Sequence, residues 1–283
     1  MHLSFAVPTP LDYFKSLVQS DAQLHLLETA ASLGQDDYPQ LDVQQVLAEA
    51  DALLARLRQR LPADAPAMHR LRLLNHFFFH ELHFGGNLNH YYDPDNSYLH
   101  KVLERRRGIP VSLAVLWLEL AQGVGLAAHG VGFPGHFMVK VNLPHAQVVI
   151  DPFSGQSLSR EELLTRLESW RGNHGVDADD DLSLAHYLRA TPAREIVARM
   201  LRNLKEIHRS QRDWRRLVAV EDRLLVLLPQ AWGEYRDRGL ALAELGRPGP
   251  AVADLQIYLA QAADDEDVGR IAERVAELRR ALG

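Results

Sequence analysis

The sequence contains no cysteine among its 283 residues. Disulfide bonds, thiolate metal sites and a cysteine nucleophile are therefore excluded. Because disulfides persist mainly in secreted proteins and oxidising compartments, their absence favours a cytoplasmic location. No apolar run approaches the roughly 18 residues that would span a bilayer, and we expect neither a membrane-spanning segment nor a secretory signal.

A strong positive charge is also missing. The chain has 31 basic and 37 acidic residues and a formal net charge of −6, whereas a nucleic-acid-binding domain normally carries a basic surface. One short basic cluster, Arg105–Arg107, is typical of a solvated helix end. We therefore expect no nucleic acid and no membrane among the partners.

Hydrophobic residues make up 47% of the chain. Through the first ninety residues, their spacing indicates helices. Apolar side chains between Leu41 and Leu61 recur every three or four residues, and Pro62 ends the pattern. The segment that starts at Pro110 and ends before Gly125 is apolar on nearly every side, with proline at the favoured first helical position. Such a helix is expected in the centre of a domain.

Two short strands follow, in VGFPGHFMVKVNLPHAQVVIDPFSG (residues 131–155). If Leu143 and Pro144 form a two-residue turn, His136 lies directly opposite Asp151. Opposed Cβ atoms are about 4.5–5.5 Å apart, which allows a hydrogen bond between these side chains. One face of the hairpin is apolar and the other mixed, and this predicts a half-buried pair of strands. A longer loop, with the register shifted by one or two residues, is the alternative.

The segment NHFFFHELHF (75–84) carries three histidines. On an α-helix, His76, His80 and His83 would share one face, and such a face could hold a metal ion. The sequence HELH is not the HExxH pattern of zinc proteases, because its two histidines are three residues apart rather than four. We favour an interpretation as partly buried helix histidines and expect no metal here.

From Thr191 onward the pattern is helical alone and repeats with an offset of 34 residues. Gly239 and Ala251 lie where tetratricopeptide repeats need small residues for close packing of two helices. One repeat earlier, the same two places hold Lys205 and Leu217, which are not small. The pattern predicts a helical repeat array that a last helix closes.

Three stretches carry a family resemblance: YYDPDNSYLHKVLERRRGIPVSLAVLWLELAQGVGL (91–126), GVGFPGHFMVKV (130–141) and VVIDPFSG (148–155). Together with the paired helices that follow, they resemble the bacterial SirB-type proteins, which join a transglutaminase-like domain to tetratricopeptide repeats. In the wider transglutaminase-like superfamily, a cysteine at the start of a buried helix, a histidine on one strand and an aspartate on the next form a catalytic triad. The resemblance implies that His136 and Asp151 match the second and third members.

No cysteine matches the first member of that triad. Counting back from Gly125 at the helix end places the family's cysteine at Pro110, and a shift of two residues places it at Ser112. Only Ser112 could be a nucleophile, with His136 as general base and with an oxyanion hole. Its Oγ would then lie within about 2.6–3.2 Å of a His136 ring nitrogen. The alternative, which we favour, is that Ser112 bonds to nearby backbone in the first turn of the helix.

These patterns and the resemblance imply an α+β fold. A transglutaminase-like, papain-like domain of helices and a small antiparallel sheet is expected to precede an all-α segment of tetratricopeptide-like repeats. The expected boundaries are 1–90 for the N-terminal helical part of the first domain, 91–170 for its core, 171–190 for a linker and 191–283 for the repeats.

Two functions are compatible with the sequence. The first, which we favour because the thiolate is missing, is a non-catalytic protein with an interaction or regulatory role. It would bind a protein or peptide partner through its repeats and its transglutaminase-like cleft. The second is a serine-dependent hydrolase or acyltransferase that uses Ser112, His136 and Asp151. Neither function calls for a cofactor, and we expect none.

Overall fold

The computed structural model describes residues 8–174, 183–261 and 267–282. Its α-helices are α1 (Pro10–Leu17), α2 (Leu26–Ser32), α3 (Val43–Arg58), α4 (Ala67–Asn75), α5 (Leu99–Arg105), α6 (Pro110–Gly123), α7 (Arg160–His174), α8 (Leu184–Tyr187), α9 (Ala193–Ser210), α10 (Trp214–Leu227), α11 (Trp232–Glu244), α12 (Pro248–Gln261) and α13 (Val268–Leu282). Its strands are β1 (Gly85–Gly86), β2 (Arg107–Gly108), β3 (Ala127–Val131), β4 (Met138–Leu143), β5 (Ala146–Ile150) and β6 (Ser157–Leu158). Within these ranges no helix has both the length and the apolar character that crossing a bilayer requires.

Helix α6 is buried on nearly every side, as its composition predicts. It begins with Pro110 at the first helical position, and eleven of its 14 residues are buried. Helices α2, α3, α4 and α5 and strands β3 and β4 all contact it. Since each fully buried large apolar side chain contributes roughly 1.5–3 kcal/mol, this helix is the main reason why the surrounding elements pack together.

Strands β3 to β6 form one antiparallel sheet in chain order, while β1 and β2 form a separate parallel pair. The predicted hairpin register is wrong by two residues. Leu143 pairs with Ala146, so the two-residue turn consists of Pro144 and His145. Pro144 explains the shift. The fixed φ of proline fits the first central position of a turn, whereas proline is disfavoured at the second.

The two faces of the hairpin β4–β5 differ in burial. On one face Met138 and Val149 pack with Leu163 of α7 in a buried cluster. On the other face Val139 and Ile150 are also fully buried, and α6 contacts β3 and β4. Further along the face that carries Met138 and Val149, Lys140 is only partly buried, and Asn142 and Gln147 are exposed. The hairpin is thus half-buried, as its alternating pattern predicts.

By their contacts, the described residues form two compact units. The core unit comprises residues 25–34 and 41–197. The repeat unit comprises the described residues of 1–24, 35–40 and 198–283. In the repeat unit α1 packs on α10, where Phe14 is fully buried beneath the guanidinium of Arg223.

The contact-based units and the sequence-based boundaries differ at the N-terminus. Residues 8–24 and 35–40 group with the repeat helices, whereas the sequence places all of 1–90 in the first domain. The sequence-based boundaries remain a prediction. Of the predicted linker, residues 175–182 lie outside the described residues.

Small residues mark the closest approach of α11 and α12. A Cβ on Gly239 would lie 2.8 Å from Leu255 Cγ and 3.2 Å from the carbonyl oxygen of Ala251. Ala251 itself is fully buried. The predicted role of Gly239 and Ala251 in close helix packing is thus confirmed.

One repeat earlier, Lys205 occupies the place that corresponds to Gly239. Its ammonium group is buried and lies 3.0 Å from Glu221, 2.6 Å from Asp237 and in contact with Glu234. Burial would lower the pKa of Lys205, but the surrounding carboxylates raise it above its ordinary value. A long cationic side chain fits here because its charge is neutralised within the repeat unit.

We predict that Gly239→Ala lowers the free energy of unfolding by about 1–3 kcal/mol, because the added methyl group overpacks against Leu255. Gly233 provides a control on the same helix, since a Cβ there would meet no heavy atom within 4 Å. Gly233→Ala should be neutral or stabilising by up to about 1 kcal/mol, from helix propensity. Urea unfolding followed by circular dichroism measures both variants. Equal stability of the two would contradict close packing at Gly239.

Candidate functional site

His136 and Asp151 form the hydrogen-bonded pair that the sequence predicts. His136 Nε2 lies 2.8 Å from Asp151 Oδ1. The contact does not come from cross-strand pairing, because His136 precedes β4 and Asp151 follows β5. A tight loop fixes the aspartate: its backbone N–H donates to Gln156, and its carbonyl accepts from Gly155. The N–H of Phe153 also donates to Asp151 Oδ1, at 2.9 Å.

The surroundings of Asp151 keep it ionised. Burial alone would raise the pKa of Asp151, but hydrogen bonds from His136 and Phe153 and the nearby charge of Arg166 hold it below its ordinary value. Arg166 Nη1 lies 3.7 Å from Asp151 Oδ2. Because a carboxylate only accepts hydrogen bonds, we assign the proton of the neutral imidazole to Nε2. His136 Nδ1 then has a lone pair that can accept a proton or a hydrogen bond.

The side-chain hydroxyl of Ser112 forms hydrogen bonds with backbone groups. The side chain is fully buried; Oγ donates to the carbonyl oxygen of Asn96 at 2.6 Å and accepts from the N–H of Ile109 at 3.1 Å. Among the described residues, no hydrogen bond joins Ser112 to His136. Pro110, the other position that matches the family's cysteine, is the buried first residue of α6 and offers no reactive group. The structure thus brings His136 and Asp151 together but does not bond Ser112 to them.

Asn96 is a structural residue of this region whose hydrogen bonds the sequence does not reveal. Its side chain donates to the carbonyl oxygens of His90 and Tyr91 and accepts from Asn87, while its carbonyl accepts from Ser112. Asn96 is 1% exposed, so these bonds replace water. They tie the loop before α5 to the start of α6. Its place shortly after Asp93-Pro94 and before a helical pattern is typical of a helix-capping residue, but the N-cap of α5 is Tyr98.

The three histidines of segment 75–84 do not share a helix face. A π-helix spans His76–Glu81, and His83 has a left-handed φ of 59°, so the α-helical spacing behind the prediction does not apply. His76 and His80 stack with ring centroids 5.6 Å apart. Within the described residues, the ring nitrogens of the three do not converge on a metal-binding point. The same-face prediction is therefore wrong. The interpretation as partly buried histidines is wrong too, because all three are exposed.

The acidic residues that do converge are Glu221, Glu234 and Asp237. Among the described residues, these three place carboxylate oxygens within 4.8 Å of one another. Burial raises the pKa of Glu221 to about 8. The ammonium group of Lys205 lies in contact with all three side chains, so the lysine supplies the cation that the carboxylates require. A metal ion would have to displace it.

This arrangement of fold and site defines a class: a transglutaminase-like domain followed by tetratricopeptide repeats. A family model described as the transglutaminase-like superfamily matches residues 44–202, which is more than half of the chain. A second model, described as a tetratricopeptide repeat, matches residues 204–276. Both predicted parts of the fold are thereby confirmed.

Bacterial relatives narrow the assignment. A UPF0162 protein of Xylella fastidiosa is 38% identical over 84% of this chain and 84% of its own. The UPF0162 protein YchA of Escherichia coli K12 is 27% identical over 81% of this chain and 82% of its own. The chain therefore belongs to the UPF0162 family. A crystal structure of menin covers 88% of this chain and 68% of its own at 12% identity, but its TM-score of 0.41 is too low to carry an argument.

We predict that Asp151→Asn lowers the free energy of unfolding at neutral pH by about 1–3 kcal/mol, because hydrogen bonds to a buried carboxylate are lost. The pKa of Asp151 is lowered from its ordinary value of 3.8. Its contribution is therefore complete above the ordinary pKa and is lost as the pH falls through the lower folded-state pKa. Wild type should thus lose more stability than Asp151→Asn as the pH falls below about 5.

Urea unfolding at a series of pH values measures this difference. Asp64→Asn is a matched control, because Asp64 is an exposed carboxylate whose removal should leave the pH dependence of wild type unchanged. Parallel pH profiles for wild type and Asp151→Asn would contradict the proposed electrostatics of the pair.

Proposed function

We propose that this protein is a non-catalytic binding protein with an interaction or regulatory role. It contacts a protein or peptide partner through its repeats and its transglutaminase-like cleft. The observation that carries this proposal is the hydroxyl of Ser112. A serine nucleophile needs a hydroxyl that is aimed at its general base, and this one is buried and donates to the carbonyl oxygen of Asn96.

The surface beside the His136–Asp151 pair supports a binding role. Phe153, two residues after Asp151, has its ring centroid 6.1 Å from that of Tyr91, and Tyr91 in turn contacts Tyr92 edge to face. Tyr92 is 74% exposed. Exposed aromatic clusters are typical of surfaces that bind a partner, and the lone pair on His136 Nδ1 provides a hydrogen-bond acceptor in the same region of the core unit.

The repeat unit supports the same role in a different way. Stacked helical repeats build extended surfaces that proteins use for binding. Here α10 to α13 pack in succession, with Gly239 and Ala251 allowing close approach at one contact and Lys205 held by ion pairs at the corresponding place of the previous repeat. These contacts make the helix array a fixed scaffold for side chains that face a partner.

A serine-dependent hydrolase or acyltransferase is the second candidate function. It is favoured by the bond between His136 and Asp151, which orients the imidazole as a general base would be oriented. It requires the Ser112 hydroxyl to leave Asn96 and Ile109 and to approach His136. Leaving those buried backbone groups unpaired costs about 1–3 kcal/mol each, and this cost favours the binding role.

The finer assignments are also part of the proposal. We place the protein among the SirB-type members of its family and in the cytoplasm, the latter because the chain has no cysteine. We propose that it works without a cofactor and binds neither nucleic acid nor membranes, since its charge balance is acidic.

Site-specific photo-crosslinking in bacterial cells tests the binding role. A benzophenone amino acid at Tyr92 or at Trp214, a partly buried tryptophan of the repeat unit, should yield discrete crosslinked proteins. Met68 is the control, because it is 40% exposed and lies on α4, outside the repeats and away from the aromatic residues beside the His136–Asp151 pair. Crosslinks from neither test position, or the same crosslinks from all three positions, would contradict the proposal.

A further inference from the structure

The repeat unit contains a cavity of about 700 Å³ that the site in the core unit does not use. Part of its lining is apolar: Trp214, Leu217, Leu240 and Ala241. Leu217 and Ala241 are buried, whereas Trp214 and Leu240 are only partly covered. A pocket of this size and composition is large enough for one or two apolar side chains of a ligand.

The same cavity has cationic side chains in its lining: Arg209, Arg212 and Arg270. The side chain of Arg209 is 53% exposed, and its guanidinium pairs with Glu206, itself 57% exposed, one helical turn away. Arg270 is 76% exposed and lies 3.5 Å from Asp267. Among the described residues Arg212 has no ion-pair partner. Exposed pairs of this kind contribute little to stability, so these arginines can turn to an anionic ligand at small cost.

The remaining charged groups of the cavity are already neutralised. Arg236 pairs with Asp237 and Asp267, and Lys205 is held among three carboxylates. Glu244 lies 3.7 Å from Arg274. Of the charged side chains that line the cavity, five are basic and two, Asp237 and Glu244, are acidic. The lining is therefore basic, although the whole chain carries a net charge of −6.

We propose that this cavity binds an acidic peptide segment of a partner protein. An apolar side chain of the peptide packs on Trp214 and Leu240, and carboxylates on either side of it pair with Arg209, Arg212 and Arg270. This inference rests on the proposed binding function and specifies the chemistry of the partner. Because the arginine contacts are exposed, binding weakens as added salt screens them.

Fluorescence titration of the full chain with pooled synthetic peptides tests the inference. The acidic pool has Asp or Glu on both sides of one apolar residue, which is varied. A second pool replaces the acidic residues with Lys or Arg, and a third replaces them with Ser or Gln. A fourth keeps the acidic residues and replaces the apolar residue with Ser. Free glutamate at matched carboxylate concentration and ionic strength controls for anion binding without a peptide.

The acidic pool with the apolar residue should bind, and the three other pools should bind more weakly. Substitution of the three exposed arginines, Arg209→Gln, Arg212→Gln and Arg270→Gln, should weaken binding at least tenfold, about 1.4 kcal/mol. Arg247→Gln, Arg279→Gln and Arg280→Gln together are the matched control. They remove the same charge from exposed positions of the repeat unit outside the cavity lining and should leave binding within about twofold of wild type. Circular dichroism of both triple variants confirms that they fold.

The outcomes separate this inference from the function on which it rests. Preference for the basic or neutral pool, or acidic binding that survives the Arg-to-Gln changes in the cavity, would overturn the inference while leaving a peptide-binding repeat unit. Equal competition by free glutamate would assign the site to small anions and would also overturn it. Absence of binding by every pool would contradict both the inference and the binding function of the repeats.

Discussion

The core unit depends on the burial of one helix. Helix α6 is apolar on nearly every side, so helices must surround it and the sheet must lie against it before its side chains leave water. The first turn of such a helix has backbone N–H groups that also need partners. Ser112 and Asn96 provide this: the serine hydroxyl accepts from Ile109 and donates to Asn96, which anchors the preceding loop. Ser112, the candidate nucleophile of this region, therefore has a structural role.

The other two candidate site residues of the core unit contact each other. His136 and Asp151 are bonded, the aspartate is held ionised, and an imidazole lone pair is left for another group. A pair without a nucleophile can still orient and recognise a polar group of a partner, and exposed aromatic rings extend the surface beside it. The proposed binding role, in the cleft and in the repeats, accounts for these features together.

The sequence predicts contacts better than it predicts backbone detail. The sequence places His136 and Asp151 at the open end of one hairpin. Their contact is therefore predicted, although Pro144 shifts the register by two residues and both side chains lie just outside the paired strands. The faces of His76, His80 and His83 could not be predicted, because a local π-helix has no clear sequence signal. The role of Asn96 was hidden for another reason: its partners are backbone and side-chain groups of an irregular loop and of the start of α6, which no periodic pattern places.

The central claim is that Ser112 is a backbone-bonded residue and not a nucleophile. Intact-mass analysis after incubation with a fluorophosphonate, a serine-directed acylating probe, tests it most directly. The account predicts no stoichiometric adduct on wild type under conditions that fully label an active serine hydrolase. An adduct located on Ser112 that disappears in both Ser112→Ala and His136→Ala would contradict the account and establish the catalytic alternative.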